Sequence, residues 1–295
     1  MTDFERFSVG EIRPSQIIHT FGVGSIVDLP RVSAVVLGLD AWEPPDGRRV
    51  ISEDRLLAVV RNHLGGQVQR LVAPPVPESA ERPDPFDPDA LKGVPVAAFP
   101  SWVKCPMCDL IAPLDQGVFE LKRNRFRPDR SGFVHANCAK ARKPHVIPVR
   151  FVRSCENGHL DDFPWHRFVH QGDSDCRSTL RLYEFGVSAQ ADDITVKCET
   201  CSKSLPMTAA FTDQGKDLIR VCRGQHPHTG VEEKCDAEAK SMLLGASNAW
   251  FAVTVSALSI PSDAGQLEQA VRENWVMLDL AKSVEIVEEI GRAHV

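Results

Sequence analysis

The sequence predicts an α+β protein in which metal ions staple small β-rich lobes, preceded by an N-terminal α/β unit. Nine cysteines occur among 295 residues, and all of them lie between residues 101 and 245. Two Cys-x-x-Cys pairs stand among them, and short apolar runs of strand length separate the cysteines. The composition, 43% hydrophobic and 25% charged, is that of a folded globular chain and excludes wholesale disorder.

Residues 1–72 are expected to form the N-terminal α/β unit. The apolar runs at 26–27 and 35–37 have the character of strands. A helix is predicted from Ser52, because polar and acidic residues there precede an apolar pattern of helical period.

Residues 73–100 are predicted to be a proline-rich linker. The stretch contains eight prolines. Proline lacks a backbone N–H, so this density favours an extended spacer over a helix or a central strand.

The cysteine-rich part is interpreted as a first zinc-binding lobe, residues 101–165, and a second one, residues 166–245. Strand-like pieces at 146–152 and 179–185 fit small lobes in which metal compensates for a limited core.

Residues 246–288 are predicted to hold a buried strand at 250–260 and an amphipathic helix from Gln266. The helix follows from apolar residues at three- and four-residue steps.

The first metal site is predicted around Cys105 and Cys108, because a Cys-x-x-Cys turn directs two thiolates at one tetrahedral ion. Cys138, Cys155 and His159 compete for the two remaining places. The favoured set is Cys105, Cys108, Cys138 and Cys155.

The second predicted site joins Cys198 and Cys201 to Cys222 and Cys235. This arrangement resembles a zinc ribbon with a widened second half. Ordinary buried thiols and a redox dithiol are the alternatives, although the latter lacks a thioredoxin-like βαβ context. Cys176 is left over and is interpreted as a core residue. Two structural zinc ions with closed thiolate shells would not activate water.

A segment between the two sites carries His159, Asp161, Asp162 and His166. Carboxylates and imidazoles at close spacing suit a catalytic Mg²⁺ or Mn²⁺, so a metal-dependent nuclease is the alternative function. The favoured interpretation is that one of the aspartates caps a helix and that the histidines orient their neighbours.

Residues 122–153 are strongly basic, with ten lysines and arginines against one acidic residue, in a chain of net charge -6. Such segregation predicts contact with phosphates or with an acidic partner; a solvated positive face without a ligand is the alternative. The candidate nucleic-acid or partner-binding residues are Lys122, Arg123, Arg125, Arg127, Arg130, Lys140, Arg142 and Lys143.

The chain is expected to be cytoplasmic and without contact to a membrane. No apolar run is long enough to span a bilayer, and the N-terminus has no signal-peptide pattern. No motif supplies ATP hydrolysis, so any motor activity is expected to come from another protein.

Several motifs together resemble the DrmB family of the bacterial DISARM anti-phage system. They are RPSQ at 13–16, TFGVGSIVD at 20–28, FPSW at 99–102, VRFV at 149–152 leading to the segment 155–165, GASN at 245–248 and VSALSIP at 255–261. The resemblance implies a non-catalytic subunit that binds a DrmA-like superfamily 2 helicase and engages DNA with it. It also implies an MrfA-like zinc-binding domain further toward the C-terminus, so the chain is expected to be an N-terminal fragment.

Residues 289–295, with the sequence EIGRAHV, can be back-translated into DNA that reads like a common short-read sequencing adapter. The hypothesis is that contamination interrupted the natural reading frame near Glu289. Resequencing tests it, because a genuine stop codon after Val295 with no longer frame would exclude it.

Overall fold

A computed structural model describes residues 8–29, 31–42, 50–74, 93–124, 130–185, 191–246, 249–258 and 264–280. Within these ranges short helices and small antiparallel sheets alternate, which confirms the predicted α+β class. The chain divides into two compact units. The first comprises Met1–Arg49 and Val72–Val253, and the second comprises Val50–Leu71 and Thr254–Val295.

The described strands are short, and most belong to the first unit. They are β1 (Ser8–Ile12), β2 (Ile26–Leu29), β3 (Val32–Val36), β4 (Val50–Ile51), β5 (Leu71–Val72), β6 (Val94–Ala98), β7 (Trp102–Lys104), β8 (Leu110–Pro113), β9 (Phe119–Lys122), β10 (Gly132–His135), β11 (Ile147–Pro148), β12 (Phe151–Ser154), β13 (Leu160–Asp162), β14 (Leu180–Glu184), β15 (Ile194–Cys198), β16 (Ser204–Pro206), β17 (Gln225–His226), β18 (Val231–Glu232) and β19 (Lys240–Leu243).

The described α-helices are shorter than four turns. They are α1 (Pro14–His19), α2 (Asp54–Leu64), α3 (Trp165–His170), α4 (Asp213–Ile219), α5 (Ala264–Glu273) and α6 (Trp275–Leu280). The helix predicted from Ser52 is therefore confirmed as α2, and the helix predicted from Gln266 corresponds to α5 and α6.

The first sheet has the strand order β1-β6-β3-β2 and is antiparallel throughout. All five residues of β3 are buried. Valine and alanine dominate β3 and β6, where β-branched side chains pack well on a pleated surface. Together with parts of β7 to β10 these strands form one hydrophobic core.

β6 lies inside the stretch predicted to be a linker, and it is a central strand between β1 and β3. Pro95 is accommodated because it lies just beyond the pairing of β6 with β3, which ends at Val36 opposite Val96, and its carbonyl oxygen still accepts the Leu37 N–H at 3.1 Å. Proline density thus does not exclude a strand where the missing donor is tolerated. Residues 75–92 of the expected linker lie outside the described ranges.

A six-stranded antiparallel sheet, β11-β7-β8-β14-β15-β16, and a three-stranded sheet, β13-β12-β19, make up most of the rest of the first unit. α3 contributes Trp165 and Phe168 to a second core that also contains strands β14 and β15. Asp162 of β13 joins the two sheets by accepting the Ser101 N–H at 2.9 Å. These sheets are small, and their hairpin turns carry Cys105, Cys108, Cys155 and Cys201.

The buried strand predicted at 250–260 is wrong for the residues the structure describes. Residues 249–258 form no strand, and Phe251, Val253 and Leu258 are each at least 75% exposed. Apolar alternation indicates burial only where another layer of the fold covers one face of the strand, and here the apolar side chains are uncovered and no described strand pairs with this stretch. Residues 281–295, which include the proposed adapter sequence, lie outside the described ranges.

None of the described helices is long and apolar enough to cross a lipid bilayer.

Candidate metal centres

Among the described residues of the first unit, three clusters of metal-competent side chains each contain three cysteines and one histidine. A fourth group, His159, His226 and Glu233, shares His159 with one of these clusters. In every cluster the four ligand atoms lie within 4.8 Å of one another. All nine cysteines of the chain are free thiols, and each belongs to one cluster. Centre 1 is Cys105, Cys108, His135 and Cys138; centre 2 is Cys155, His159, Cys222 and Cys235; centre 3 is His170, Cys176, Cys198 and Cys201.

Centre 1 forms between the turn of one hairpin and the end of another. Cys105 and Cys108 lie in the turn that joins β7 to β8. His135 ends β10, and its Nδ1 is 3.5 Å from Cys108 Sγ. Cys138 Sγ is 3.9 Å from Cys105 Sγ. The sulfur separation is close to the roughly 3.8 Å expected for two thiolates on one tetrahedral zinc ion.

Centre 2 joins a hairpin turn to two distant segments. Cys155 and His159 lie in the turn between β12 and β13, whereas Cys222 follows α4 and Cys235 follows β18. His159 Nδ1 is 3.3 Å from Cys155 Sγ and 3.6 Å from Cys222 Sγ. His159 Nε2 is 2.6 Å from a carboxylate oxygen of Glu233. A carboxylate on the outer nitrogen of a ligand histidine holds the ring in place and raises its basicity.

Centre 3 combines the end of α3 with the turn between β15 and β16. His170 Nε2 is 3.4 Å from Cys201 Sγ, and Cys176 Sγ is 3.6 Å from Cys198 Sγ. His170 Nδ1 lies 2.7 Å from the His166 carbonyl oxygen. Since a carbonyl only accepts, Nδ1 carries the proton and the Nε2 lone pair faces the thiolates.

The thiols of these clusters differ in how readily they ionise. Burial opposes the thiolate at Cys198, but hydrogen bonds from Cys201 and Thr200 outweigh it and lower its pKa to about 6. Burial raises the pKa of Cys105 to about 11. Three close sulfurs ionise together only when a cation lies among them, so each cluster suits a divalent metal ion better than it suits free thiols.

The structure groups the cysteines differently from the two predicted quartets. Cys155, predicted to complete the first site, lies with Cys222 and Cys235 in centre 2. Cys198 and Cys201 do not lie with Cys222 and Cys235. They lie beside Cys176, which was interpreted from the sequence as a core residue. The reason is topological: β12 and α4 bring centre 2 together across the fold, and sequence spacing does not report that contact.

A histidine completes each of the three clusters. Two of these histidines, His135 and His170, were not predicted as ligands from the sequence. Cys105, Cys108 and Cys138 stay together as predicted, with His135 as the fourth member. A signal for His135 was available, because the sequence His135-Ala-Asn-Cys138 repeats the two-residue gap of a Cys-x-x-Cys turn. No comparable local spacing identifies His170.

The four residues considered for a catalytic metal are not gathered around one point. His159 belongs to centre 2, and the buried Asp161 accepts hydrogen bonds from the Arg153 guanidinium. Asp162 accepts from Ser101, and neither aspartate caps α3, whose N-terminus has no side-chain cap. Among the described residues, no cluster of metal-competent atoms includes Asp161, Asp162 or His166.

The candidate binding residues of the basic segment are exposed wherever the structure describes them, whereas Arg153 at the end of the segment is buried. Lys140, Arg142 and Lys143 follow Cys138 in one loop. Backbone N–H groups of this loop, at Lys140 and Ala141, donate to the Cys138 thiol. Centre 1 therefore fixes the backbone from which these cations project. The other described candidates are Lys122, Arg123 and Arg130, all exposed, whereas Arg125 and Arg127 lie outside the described ranges.

Comparison with known proteins gives a family and one curated relative. A family model described as a domain of unknown function, DUF8724, matches residues 13–251. This range contains all three centres and the basic loop. The chain is also similar to the DISARM protein DrmB of Bacillus paralicheniformis, with 33% identity over 179 residues. The alignment covers 59% of this chain and 30% of the relative, so it spans less than a third of the relative's length.

Proposed function

The chain belongs to the DUF8724 family, and from this membership and the similarity to DrmB we propose that it is a zinc-stabilised, non-catalytic part of a DISARM anti-phage complex. In this role it associates with a DrmA-like superfamily 2 helicase and contributes to DNA engagement. The similarity to DrmB is the observation that carries the proposal. The geometry supports it in two ways, through the metal centres and through the basic loop.

The donor sets fit zinc. Each centre offers three sulfurs and one imidazole nitrogen, the soft and borderline ligands that zinc takes in closed tetrahedral sites. Bound zinc would supply structural cross-links, because four protein ligands leave no coordination position for a substrate. We therefore propose three structural zinc ions per chain, one more than the two quartets predicted from the sequence.

The basic loop supports DNA contact. Lys140, Arg142 and Lys143 are exposed, and the loop that carries them is tied to centre 1 through Cys138. Three cations on a fixed backbone neutralise phosphates without the entropy cost of ordering a free loop. The metal and the nucleic-acid contact are then coupled, since loss of centre 1 would release the loop.

The test is salt-dependent binding of single-stranded DNA to the purified chain, measured by fluorescence anisotropy. The triple variant Lys140→Glu, Arg142→Glu and Lys143→Glu should bind at least about tenfold more weakly at low salt. The slope of log affinity against log salt concentration should shrink by roughly two, because about 0.7 counterions are released for each phosphate contact on single strands.

A second triple variant, Lys203→Glu, Lys216→Glu and Lys240→Glu, is the matched control. These three lysines are also exposed, and the change in net charge is the same. It should reduce affinity much less than the loop variant does. Equal losses in the two variants would mean that net charge, and not this loop, governs binding, and salt-insensitive binding would contradict the proposed DNA contact.

A further inference from the structure

A small basic cluster lies where two hairpins of the first unit meet. Its members are Arg31, in the turn between β2 and β3, Lys122, at the end of β9, and His145, which follows the basic loop. All three residues are exposed. Arg31 and His145 are not among the candidate binding residues named from the sequence, and Arg31 lies far outside the basic segment.

Strand pairing brings Lys122 and His145 to one face. β10 lies between β9 and the segment that contains His145, since Lys122 pairs with Gly132 and His145 pairs with Val134. Gly132 and Val134 are two residues apart, and side chains at this spacing lie on the same face of a strand. Lys122 and His145 therefore flank β10 on the same face.

A glycine brings Arg31 to this face. A Cβ added at Gly132 would lie 3.0 Å from the Cβ of Arg31 and 3.4 Å from its carbonyl oxygen. The first distance is shorter than two carbon atoms normally approach, so the β2–β3 turn packs directly on the β10 backbone. The position of Arg31 is thus set by backbone packing and not only by the rotamer of a long side chain.

An imidazole holds the Arg31 guanidinium. His145 Nε2 lies 2.5 Å from Arg31 Nη1. Partial burial lowers the pKa of His145, and the charges of Arg31 and Lys122 lower it further, so the ring is neutral at pH 7 and Nε2 accepts the hydrogen bond. The same ring donates to the Phe133 carbonyl oxygen. This contact fixes one of the five N–H donors of the guanidinium, and no other described residue takes the remaining four.

The two cations of this cluster have no carboxylate partner. Among the described residues, neither Arg31 nor Lys122 forms an ion pair. This holds even for Glu120, which lies two residues before Lys122 in β9. Neighbouring cations without a counter-charge attract anions, and a planar guanidinium with free donors matches two oxygens of one phosphate group.

We propose that Arg31 and Lys122 form a phosphate clamp, in which Arg31 donates two hydrogen bonds to one backbone phosphate of single-stranded DNA and Lys122 supplies a second positive charge. His145 is a positioning residue that holds the guanidinium. The clamp rests on the proposed function, which it deepens by assigning one phosphate to two named cations. It also adds to the basic loop, because His145 follows Lys143 by two residues.

The Arg31→Lys variant tests the clamp without a change in net charge. The probe is a fluorescently labelled oligothymidylate, and binding is measured by anisotropy at several salt concentrations. Affinity should fall about tenfold, because a two-point, charge-assisted contact is lost. The slope of log affinity against log salt concentration should stay the same, because the number of cations is unchanged.

Arg177→Lys is the matched control. Arg177 is also exposed and belongs to the first unit, but it lies outside the basic segment, where it donates to the Ser174 carbonyl oxygen. This variant should bind the oligothymidylate as tightly as the wild type does. If Arg31→Lys bound as tightly as Arg177→Lys, the clamp would be overturned.

Lys122→Gln tests the second cation. It should weaken binding and reduce the salt slope by roughly 0.7, the number of counterions released for each phosphate contact on a single strand. An unchanged slope would exclude Lys122 from the clamp.

Two variants at His145 test its positioning role. Glutamine still offers an oxygen that accepts from Arg31, whereas leucine offers no acceptor. His145→Leu should therefore weaken binding about as much as Arg31→Lys does, and His145→Gln should retain most of the wild-type affinity. Equal affinities of the two variants would overturn the role assigned to His145.

Inorganic phosphate separates the clamp from the proposed function. Its binding is followed through the His145 ring signals in ¹H–¹⁵N NMR spectra. If Arg31→Lys left DNA affinity unchanged while the triple variant of the basic loop lost it, the clamp would be overturned and the proposed DNA contact would stand. If the wild type bound no oligothymidylate, but phosphate shifted the His145 signals in the wild type and not in Arg31→Lys, the proposed DNA contact would be overturned and the clamp supported, with a free phosphate as its ligand.

Discussion

Hydrogen bonds on the outer ring nitrogen orient two of the three histidines in the metal centres. His159 faces Glu233 through Nε2, and His170 faces the His166 carbonyl through Nδ1. The two rings consequently present opposite nitrogens to their sulfurs. Each partner holds its ring in one orientation, which lowers the reorganisation needed to form a tetrahedral site.

At the residue scale, Cys176 discriminates between the structural clusters and the sequence-based quartets. Replacing Cys176 with alanine should lower the zinc content of the purified chain from about three ions to about two, because centre 3 would keep only three ligands. Inductively coupled plasma mass spectrometry provides the measurement.

The neighbouring change Ser178→Ala is the control for this measurement and should leave the zinc content unchanged. Ser178 lies in the same loop, where its hydroxyl contacts Thr200 rather than a cluster sulfur. If Cys176→Ala retained the full wild-type zinc content, Cys176 would not be a ligand, and the assignment of centre 3 would be wrong.

At the scale of elements, the buried guanidinium of Arg153 positions the chain segment that carries Cys222, a member of centre 2. Arg153 of β12 holds Asp161 of β13 and donates to the Val221 carbonyl oxygen at 2.8 Å. Val221 directly precedes Cys222, so this contact ties the segment after α4 to the hairpin that carries Cys155. The ion pair thus has a positioning role for centre 2, in addition to whatever it contributes to stability.

The packing of α4 depends on a glycine. A Cβ added at Gly215 would lie 1.7 Å from the Ala209 carbonyl oxygen, well inside contact distance. Glycine to alanine normally stabilises a helix interior by up to about 1 kcal/mol. Here the backbone of the preceding turn would have to move, and we expect Gly215→Ala to destabilise the chain by at least about 2 kcal/mol in urea unfolding.

Gly66→Ala provides the comparison, because a Cβ at Gly66 would meet no atom within 4 Å. Its unfolding midpoint should lie close to that of the wild type. A Gly215→Ala protein as stable as the wild type would show that α4 can shift away from the turn at Ala209, and the close packing described here would not be a constraint.

At the scale of the whole molecule, the sheets of the first unit are small, and metal is expected to supply much of the stability. A structural zinc site in a small peptide contributes an apparent 10–16 kcal/mol, whereas a whole domain is stable by about 5–15 kcal/mol. Stripping the metal with 1,10-phenanthroline should therefore remove cooperative thermal unfolding of the first unit, as followed by near-ultraviolet circular dichroism.

The non-chelating isomer 1,7-phenanthroline controls for direct effects of the aromatic reagent and should leave the melting curve unchanged. Re-addition of zinc under reducing conditions should restore the transition. A chelated protein, shown to be free of metal, that kept its full melting transition would contradict the view that the three centres hold the sheets together.

Local sequence patterns were sufficient to predict the α+β class, the helix α2 and the presence of cysteine pairs in clusters. They were insufficient wherever a feature depends on contacts between residues that are far apart in the sequence. β6 was hidden by its prolines, and the apolar stretch that includes Phe251 was interpreted as buried although it is exposed. In both cases the outcome depends on whether a neighbouring strand is present, and a one-dimensional pattern does not contain that information.

By itself, the sequence determined that the cysteines form clusters, because a Cys-x-x-Cys turn brings two sulfurs together through local backbone geometry alone. Only the tertiary structure decided which partners complete each cluster and that histidine supplies the fourth member of each. The physical reason is range: the gap inside a turn is fixed by a few dihedral angles, whereas the meeting of His170 with Cys201, or of Cys155 with Cys235, is fixed by sheet topology and core packing.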